Sequence, residues 1–474
     1  MAAQGKHPLM GMRDLFEEEN RRKLRVQGDL QAALSLCGYR TIDTPVLEPT
    51  DIFLRKSGGE LASQMYSFVE PGGHQVSLRP EFTSQVIRLF LQQDGELPLP
   101  VRWQYAGPVF RYATGDAGHG RQYTQVGAEL IGAGGAAADA EVLATSCGAL
   151  TSLGLRPLRL VIGDVGAVLG LLRQYALSER ATHYLLNAIG QLRDGEEQLA
   201  EVRARAEELG LLVQGERQGM AALGQHLAAV DASSTMVFGA RTPAEVLERL
   251  ARKLQASDDP GQIERAMEFT AALSRLRGAP DDIVEAARGL AASHGLDAAP
   301  LDTLEACVAA LALHDLKDVE VSVDLGLVGG IAYYTGPLFE VWGGSPSARP
   351  EGNRRTNDVR LASGGRYDGL VKALGGADDV PALGFAYSLE PVMDAMASAG
   401  VLADDARSSK RALVAPRSPG AVAAALRTAA SLRLGGEAAT VALNREVDED
   451  TARRQGFAAI VAVDEDGASE RTWL

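Results

Sequence analysis

Between residues 167 and 317 the chain carries helical periodicity rich in Ala, Leu, Glu and Arg, and the segments that read as strands lie on either side of it. A sheet built from strands before and after such a stretch must close around an insertion. The pattern therefore predicts an α+β fold, a sheet core flanked by helices and interrupted by a helical block. The expected division is 1–166 and 318–402 for the two parts of the core, 167–317 for the insertion, and 410–474 for a small α/β unit at the end.

In the first part, Val26, Leu30, Ala33, Leu34 and Cys37 share one helical face within residues 20–37, and Gly38 supplies a stop. The segment YRTIDTPVLEP follows, extended and carrying Pro45, which suits an edge or an interface. Residues 65–80 read as a hairpin turning at Pro71, Gly72 and Gly73. Two strands are expected in 101–132, around a loop rich in Gly, Ala and Thr, and another in 156–164. Within the insertion, Thr242, Pro243 and Glu245 form a helix-start signature. Strands resume over 319–327, 333–342, 358–365 and 382–390, with a polar loop at 343–358 and a linker near 400–410. The tail alternates strand, helix, strand, short helix, strand.

A length of 474 residues implies two to four domains and allows a sizeable core without staples. The net charge of −15 opposes a polyanion as main partner, although a local basic patch stays open. The three cysteines, Cys37, Cys147 and Cys307, form no CxxC, so free thiols in a reducing compartment are expected rather than disulfides or a zinc site. The N-terminus has no signal-peptide core, and no apolar run reaches the roughly 18 residues that span a bilayer. A cytoplasmic protein without membrane, metal or cofactor is expected.

Four blocks carry the polar residues that could do chemistry: LRPEFT (78–83), FRYATGDAGHGRQYTQVGAELIG (110–132), YYTGPLFE (333–340) and SGGRYDGL (363–370). Each alternates polar with apolar residues, as strands with one working face do. Glu81, Glu129 and Asp368 are acceptors, Arg111 and Arg121 fixed cations, Thr83 and Gln125 neutral partners, and Tyr333 and Tyr334 flat walls with polar tips. The set suits a small zwitterion with a polar ring. The same alternation also describes a solvated sheet face. Taken alone, Tyr333 and Tyr334 read equally as core, Gly364 and Gly365 as a turn or close backbone approach, and Asp368 as the anchor of a turn. His119 reads as a solvated loop histidine or as an effector contact, and Arg354 and Arg355 as solubility charges or an anion site.

These blocks resemble the histidyl-tRNA synthetase family of class II aminoacyl-tRNA synthetases. GYRTIDTPVLEP resembles motif 1, FRYATGDAGHGRQYTQVGAELIG motif 2, GLVGGIAYYTGPLFE and LASGGRYDGLV the two histidine signatures, and ALGFAYSLEPV motif 3. The likeness runs over residues 8–393. It implies an antiparallel-sheet core and a homodimer through motif 1. It also implies a histidine pocket in which Glu81, Thr83 and Gln125 take the amino side and Arg111 faces the carboxylate. Glu129 and Tyr334 would read the imidazole, with Tyr333 beside them. Arg121, His119 and Asp368 are further candidate effector contacts.

The departures fall on the ATP half of the pattern. Ala113 stands where motif 2 has the glutamate that holds adenine. Gly329 replaces the arginine of the Arg-Gly-Leu-Asp signature, and Pro391 replaces the motif 3 arginine. Positioned cations carry nucleotidyl chemistry, each worth several kcal/mol. The tail, with nine basic and nine acidic residues from Lys410 to Leu474, looks like a shortened anticodon-binding domain that no longer meets RNA. The pattern is similar to the regulatory subunits of ATP phosphoribosyltransferase, synthetase-like paralogues in histidine biosynthesis. That resemblance implies a non-catalytic chain without cofactor or tRNA. It would activate a short-form catalytic subunit in a larger hetero-oligomer and bind L-histidine as feedback effector. A working histidyl-tRNA synthetase and an ATP-dependent amino-acid ligase are the alternatives.

Overall fold

The computed structural model describes residues 8–55, 58–93, 95–112, 120–193, 195–212, 258–327, 333–344, 358–402, 411–442 and 448–474. The helix start at Thr242, Pro243 and Glu245, the linker over 403–410, and Ala113, His119, Gly329, Arg354 and Arg355 lie outside the described residues.

The first helix, Glu17–Leu36, buries Val26, Leu30 and Leu34. It ends as the sequence predicts. Gly38 takes φ +84°, its N–H donates to the Ser35 carbonyl, and the Tyr39 N–H donates to that of Leu34. This paired closure satisfies the last carbonyls and needs a residue free of the Cβ penalty. The chain then runs along a sheet edge, where Arg40–Thr41 pairs in parallel with Trp103 and Gln104. The hairpin also forms as expected. Ser67–Val69 and Gln75–Leu78 pair antiparallel, Leu47–Pro49 completes a three-stranded sheet, and Gly73 turns at φ +86°.

Among the described residues the main sheet has nine strands. In spatial order they are Arg40–Thr41, Val101–Phe110, Gln122–Ile131, Ala382–Ser388, Asp358–Arg366, Pro337–Gly344, Leu158–Asp164, Val319–Asp324 and Arg277–Gly278. Strands from both sides of the insertion therefore interleave in one sheet. Pairing is antiparallel except at Arg40–Thr41 and between Leu158–Asp164 and Val319–Asp324. The strand expected over 333–342 starts only at Pro337, leaving Tyr333 in a turn, and that over 382–390 stops at Ser388, where the helix Leu389–Ser398 begins.

The two faces of this sheet differ. Val126, Ala128, Leu130, Phe339, Val341, Phe385 and Tyr387 join one apolar cluster with Val26, Leu30, Val142, Leu150 and the helices between 165 and 311. That cluster continues from the sheet into Leu185, Ile189, Phe269, Ala287 and Leu304 without a break. The opposite face carries Val101, Trp103, Tyr105, Val109 and Tyr123, against Phe82, Val86 and Leu370. Residues 1–402 form one compact unit and 403–474 a second. The second is a four-stranded sheet with its own apolar cluster of Val414, Ala425, Ala429 and Val463. Its last strand, Ser469–Trp473, escapes the sequence pattern because all its side chains are exposed and no alternation marks it. Among the described residues no helix is long and apolar enough to cross a membrane.

Arg79 ties the small sheet to the main one. It is buried, donates Nη1 to the Thr44 carbonyl and Nε to that of Pro108, both at 2.8 Å, and lies 3.9 Å over the Phe82 ring. A methyl group at Gly107 would strike its guanidinium. Arg79→Leu leaves one buried and one half-buried carbonyl without their donors and should lower unfolding stability by roughly 3 kcal/mol in urea denaturation. A loss below about 1 kcal/mol would mean those carbonyls find other partners.

Candidate functional site

The cavity exists because side chains are missing from its floor. On the face opposite the helices, Gly127, Gly384 and Gly365 fall in adjacent strands, paired Gly127 to Ala386 and Gly384 to Gly365. Each glycine underlies a functional side chain. A Cβ at Gly127 would strike the Tyr105 hydroxyl, one at Gly384 the Glu129 carboxylate, and one at Gly365 the Tyr334 ring at 2.8 Å. Ser363, Ala386 and Ser388 keep the rest of the floor low. The resulting cleft has a volume of about 260 Å³ and is lined by Glu81, Thr83, Arg111, Gln125, Tyr333 and Tyr334, among others. That is smaller than the roughly 300–1,000 Å³ clefts of drug-sized ligands, and suits a metabolite the size of an amino acid.

Glu81 precedes the helix Thr83–Leu91, and both its oxygens accept the Ser84 N–H, at 3.1 and 3.2 Å. A carboxylate at a helix N-terminus is held in place and favoured as an anion. Burial nevertheless raises its pKa, against the opposing Ser84 and Thr83 bonds and the Arg111 charge. Arg111 donates Nε to the Pro80 carbonyl at 2.9 Å. Among the described residues no acceptor engages its two terminal nitrogens. Gln125, level with Ser388, has a buried Oε1 without a partner, an acceptor waiting for a donor. Tyr333 packs edge-on against Tyr334 and Tyr367, at 5.2 and 5.7 Å between centroids.

Glu129 lies one layer beneath the wall and is 1% exposed. Its Oε1 accepts Thr83 Oγ1–H at 2.8 Å and Tyr105 O–H at 3.0 Å, and its Oε2 accepts Tyr367 O–H. Burial pushes its pKa up to about 7, while these hydroxyls pull it down. The group that the resemblance assigns to the imidazole is thus already satisfied by three side chains. It fixes the hydroxyls that face the cleft, and about one acceptor site, on Oε2, is left beside them.

Two further candidate effector contacts are not among the described residues that line the cleft. Arg121 does not line the cleft: its guanidinium stacks 4.3 Å over Tyr112. Asp368 does not line it either. It accepts the Ala382 N–H and an Arg366 N–H, both at 2.9 Å, which is the role of a turn anchor. Gly364 and Gly365 mark close backbone approach within the strand Asp358–Arg366 rather than a turn. Tyr105, Tyr367, Arg360 and Glu340 line the cleft and escaped the sequence reading. Tyr367 and Glu340 lay inside quoted motifs, and Tyr105 and Arg360 outside them. Pro391 is buried in the first turn of Leu389–Ser398, where a proline is tolerated. The preceding Glu390 accepts the Thr124 N–H with both oxygens, at 3.0 and 2.9 Å.

Over residues 11–266 and 244–392 the chain matches the family model for histidyl-tRNA synthetase. The histidine–tRNA ligase of Methanocaldococcus jannaschii is 28% identical over 383 residues, covering 81% of this chain and 74% of that one. That of Pyrococcus furiosus is 27% identical over 431 residues, covering 90% and 83%. Among solved structures, a Bacillus halodurans protein described as an ATP phosphoribosyltransferase regulatory subunit/histidyl-tRNA synthetase superposes with a TM-score of 0.66 at 21% identity, covering 97% of this chain and 99% of that one. Apo S. aureus histidyl-tRNA synthetase gives 0.58 at 23% identity, covering 99% and 97%. At these identities the structural likeness speaks for the class II fold, with its large sheet flanked by helices.

The pKa of Glu129 sets a pH signature. Because its folded-state value, about 7, exceeds the ordinary 4.5, its contribution to stability is complete below about 4.5 and is lost as pH rises through about 7. Between about pH 5 and pH 8 the wild type should lose up to roughly 3 kcal/mol relative to Glu129→Gln. Parallel denaturation curves for the two proteins across that range would show that Glu129 does not carry the proton.

Proposed function

The chain belongs to the histidyl-tRNA synthetase family, and on that premise we propose that it is a non-catalytic regulatory subunit of ATP phosphoribosyltransferase, binding L-histidine as feedback effector. In this reading it works in the cytoplasm with a short-form catalytic subunit. It forms a homodimer through the motif 1 region inside a larger hetero-oligomer and serves no tRNA.

The observation that carries the reading is the balance of charge in the cleft. Among the described residues two guanidinium groups, Arg111 and Arg360, line it, against the carboxylates of Glu81 and Glu340. Glu129 lies beneath it, and Arg360 is paired with Glu340 at 2.6 Å. Position 391, where a synthetase of this family carries the motif 3 arginine, holds a buried proline with neither charge nor N–H. A triphosphate placed here would meet acids where transferring phosphoryl groups need cations. A zwitterionic amino acid fits the same wall: Glu81 and the unpartnered Gln125 oxygen for its ammonium, and Arg111 for its carboxylate. Exposed Leu47 in the motif 1 strand, and Phe68 and Val69 on the far strand of the same small sheet, suit a second copy of the chain. The Bacillus halodurans neighbour, whose description couples the regulatory subunit with the synthetase, is consistent with this role.

Histidine should raise the thermal midpoint, adding roughly 2.7 kcal/mol at one hundred times its Kd. Glu81→Gln should weaken it by roughly 1.5–3 kcal/mol, the value of a charge-assisted hydrogen bond. The rival reading, an active ligase like the named archaeal relatives, is tested by histidine-dependent ATP–pyrophosphate exchange. The expected rate is background, and turnover above it would establish the ligase instead. Reconstituted with a short phosphoribosyltransferase subunit, the wild type should confer inhibition by histidine, and Glu81→Gln should relieve it.

A further inference from the structure

The strand Asp358–Arg366 contains an irregularity that decides what the cleft can hold. From Gly365 to Ala362 its residues pair in step with Leu338 to Val341. Glu340 lies opposite Ser363 and Val341 opposite Ala362. The register then shifts, and Trp342 lies opposite Arg360, with Leu361 unpaired between. In a regular strand Arg360 would share the face of Ala362 and enter the apolar layer beneath the helices. The bulge reverses that parity. Leu361 drops into the helix-side cluster, fully buried, and Arg360 emerges on the cleft face beside Glu340 and Trp342. Bulges of this kind re-aim side chains next to sites.

Arg360 is held loosely where it emerges. Its Nη1 donates to Glu340 Oε1 at 2.6 Å, while Trp342 Nε1–H occupies Oε2 at 3.1 Å. The arginine side chain is 46% exposed, so opening this pair costs little. The floor residues next to it, Ser363, Ala386 and Ser388, are small and leave room for a guanidinium to swing inward. Arg360 and Arg111 line the same cleft as Tyr123 and Tyr334, and both favour the ionised forms of these tyrosines against the dominant effect of burial.

We infer that Arg360 is a specificity-determining oxyanion receptor of this cleft, exchanging Glu340 for the carboxylate of the bound amino acid and clamping it together with Arg111. The inference rests on the amino-acid-binding reading above and adds to it the residue that distinguishes a free amino acid from its decarboxylated amine. Glu340 acts as a competitor that occupies the guanidinium until a ligand carboxylate arrives. A planar fork can hold a carboxylate with two parallel bonds, which a lysine cannot reproduce.

The test is calorimetric titration of the full chain with histidine and with histamine, which lacks the carboxylate, for wild type, Arg360→Gln, Arg360→Lys and Glu340→Gln. Arg360→Gln should weaken histidine by about tenfold or more and leave histamine unchanged, with Arg360→Lys intermediate. Glu340→Gln, which removes the competitor, should tighten histidine a few-fold relative to histamine, a gain that a merely structural ion pair would not produce. Equal weakening of both ligands by Arg360→Gln, or weakening of neither, overturns the inference and leaves the functional reading standing. AMP and adenosine form a second pair. If Arg360→Gln abolishes a preference for AMP while histidine is unaffected, the oxyanion is a phosphate and the carboxylate assignment falls. If the wild type binds no histidine, the inference and the functional reading fall together.

Discussion

A buried carboxylate organises the working half of this protein. Taking Glu129 out of water costs several kcal/mol unless its oxygens are satisfied. The satisfaction comes from Thr83 at the start of a helix, Tyr105 on one neighbouring strand and Tyr367 just beyond another. Glu129 itself sits on the strand Gln122–Ile131. Four segments far apart in sequence are thus fixed with respect to a single group. The cleft lies over this knot, so the hydroxyls on its wall have set directions before any ligand arrives.

How much of this could be read from the sequence depended on which physical signal carried it. The first helix and its Gly38 stop, the hairpin at Gly73 and the paired strands 101–110 and 122–131 follow from periodicity and turn chemistry, and they form as expected. Glu81, Thr83, Arg111, Gln125, Tyr333 and Tyr334 do line one cleft, because their motifs lie on strands, a turn and a helix start that meet at one face. Periodicity could not reveal Arg360. Simple alternation assigns it to the face of Ala362, and only the bulge, a property of two paired strands, reverses that assignment. Tyr105 was hidden for a related reason. In VRWQYAGPVF it reads as one more core aromatic, and its hydroxyl gains a function only when the fold brings Glu129 beneath it. Arg121 and Asp368 show the converse. Their residue types suit a ligand, but a nearby tyrosine ring and a backbone N–H engage them first.

Among the described residues, the helices between 165 and 311 have no core separate from that of the sheet. Their buried residues and those of the sheet's helix-side face belong to one continuous cluster, so the insertion buries the sheet it interrupts. The 403–474 unit has clusters of its own. Two units with separate cores can differ in stability and in partners, whereas the sheet and its inserted helices stand or fall together.

The floor of the cleft also bears on how such a protein can change over generations. Space here is made by omission, at Gly127, Gly365 and Gly384, where any added carbon meets a functional side chain. Single-base changes in the first two positions of a glycine codon introduce a side chain or a stop. The site can therefore be lost in one mutational step at any of three codons, through substitutions as mild as alanine. Regaining it requires reversal at that same codon, since no change elsewhere removes the added atom. A lineage that stopped needing the ligand would be expected to fill this floor early.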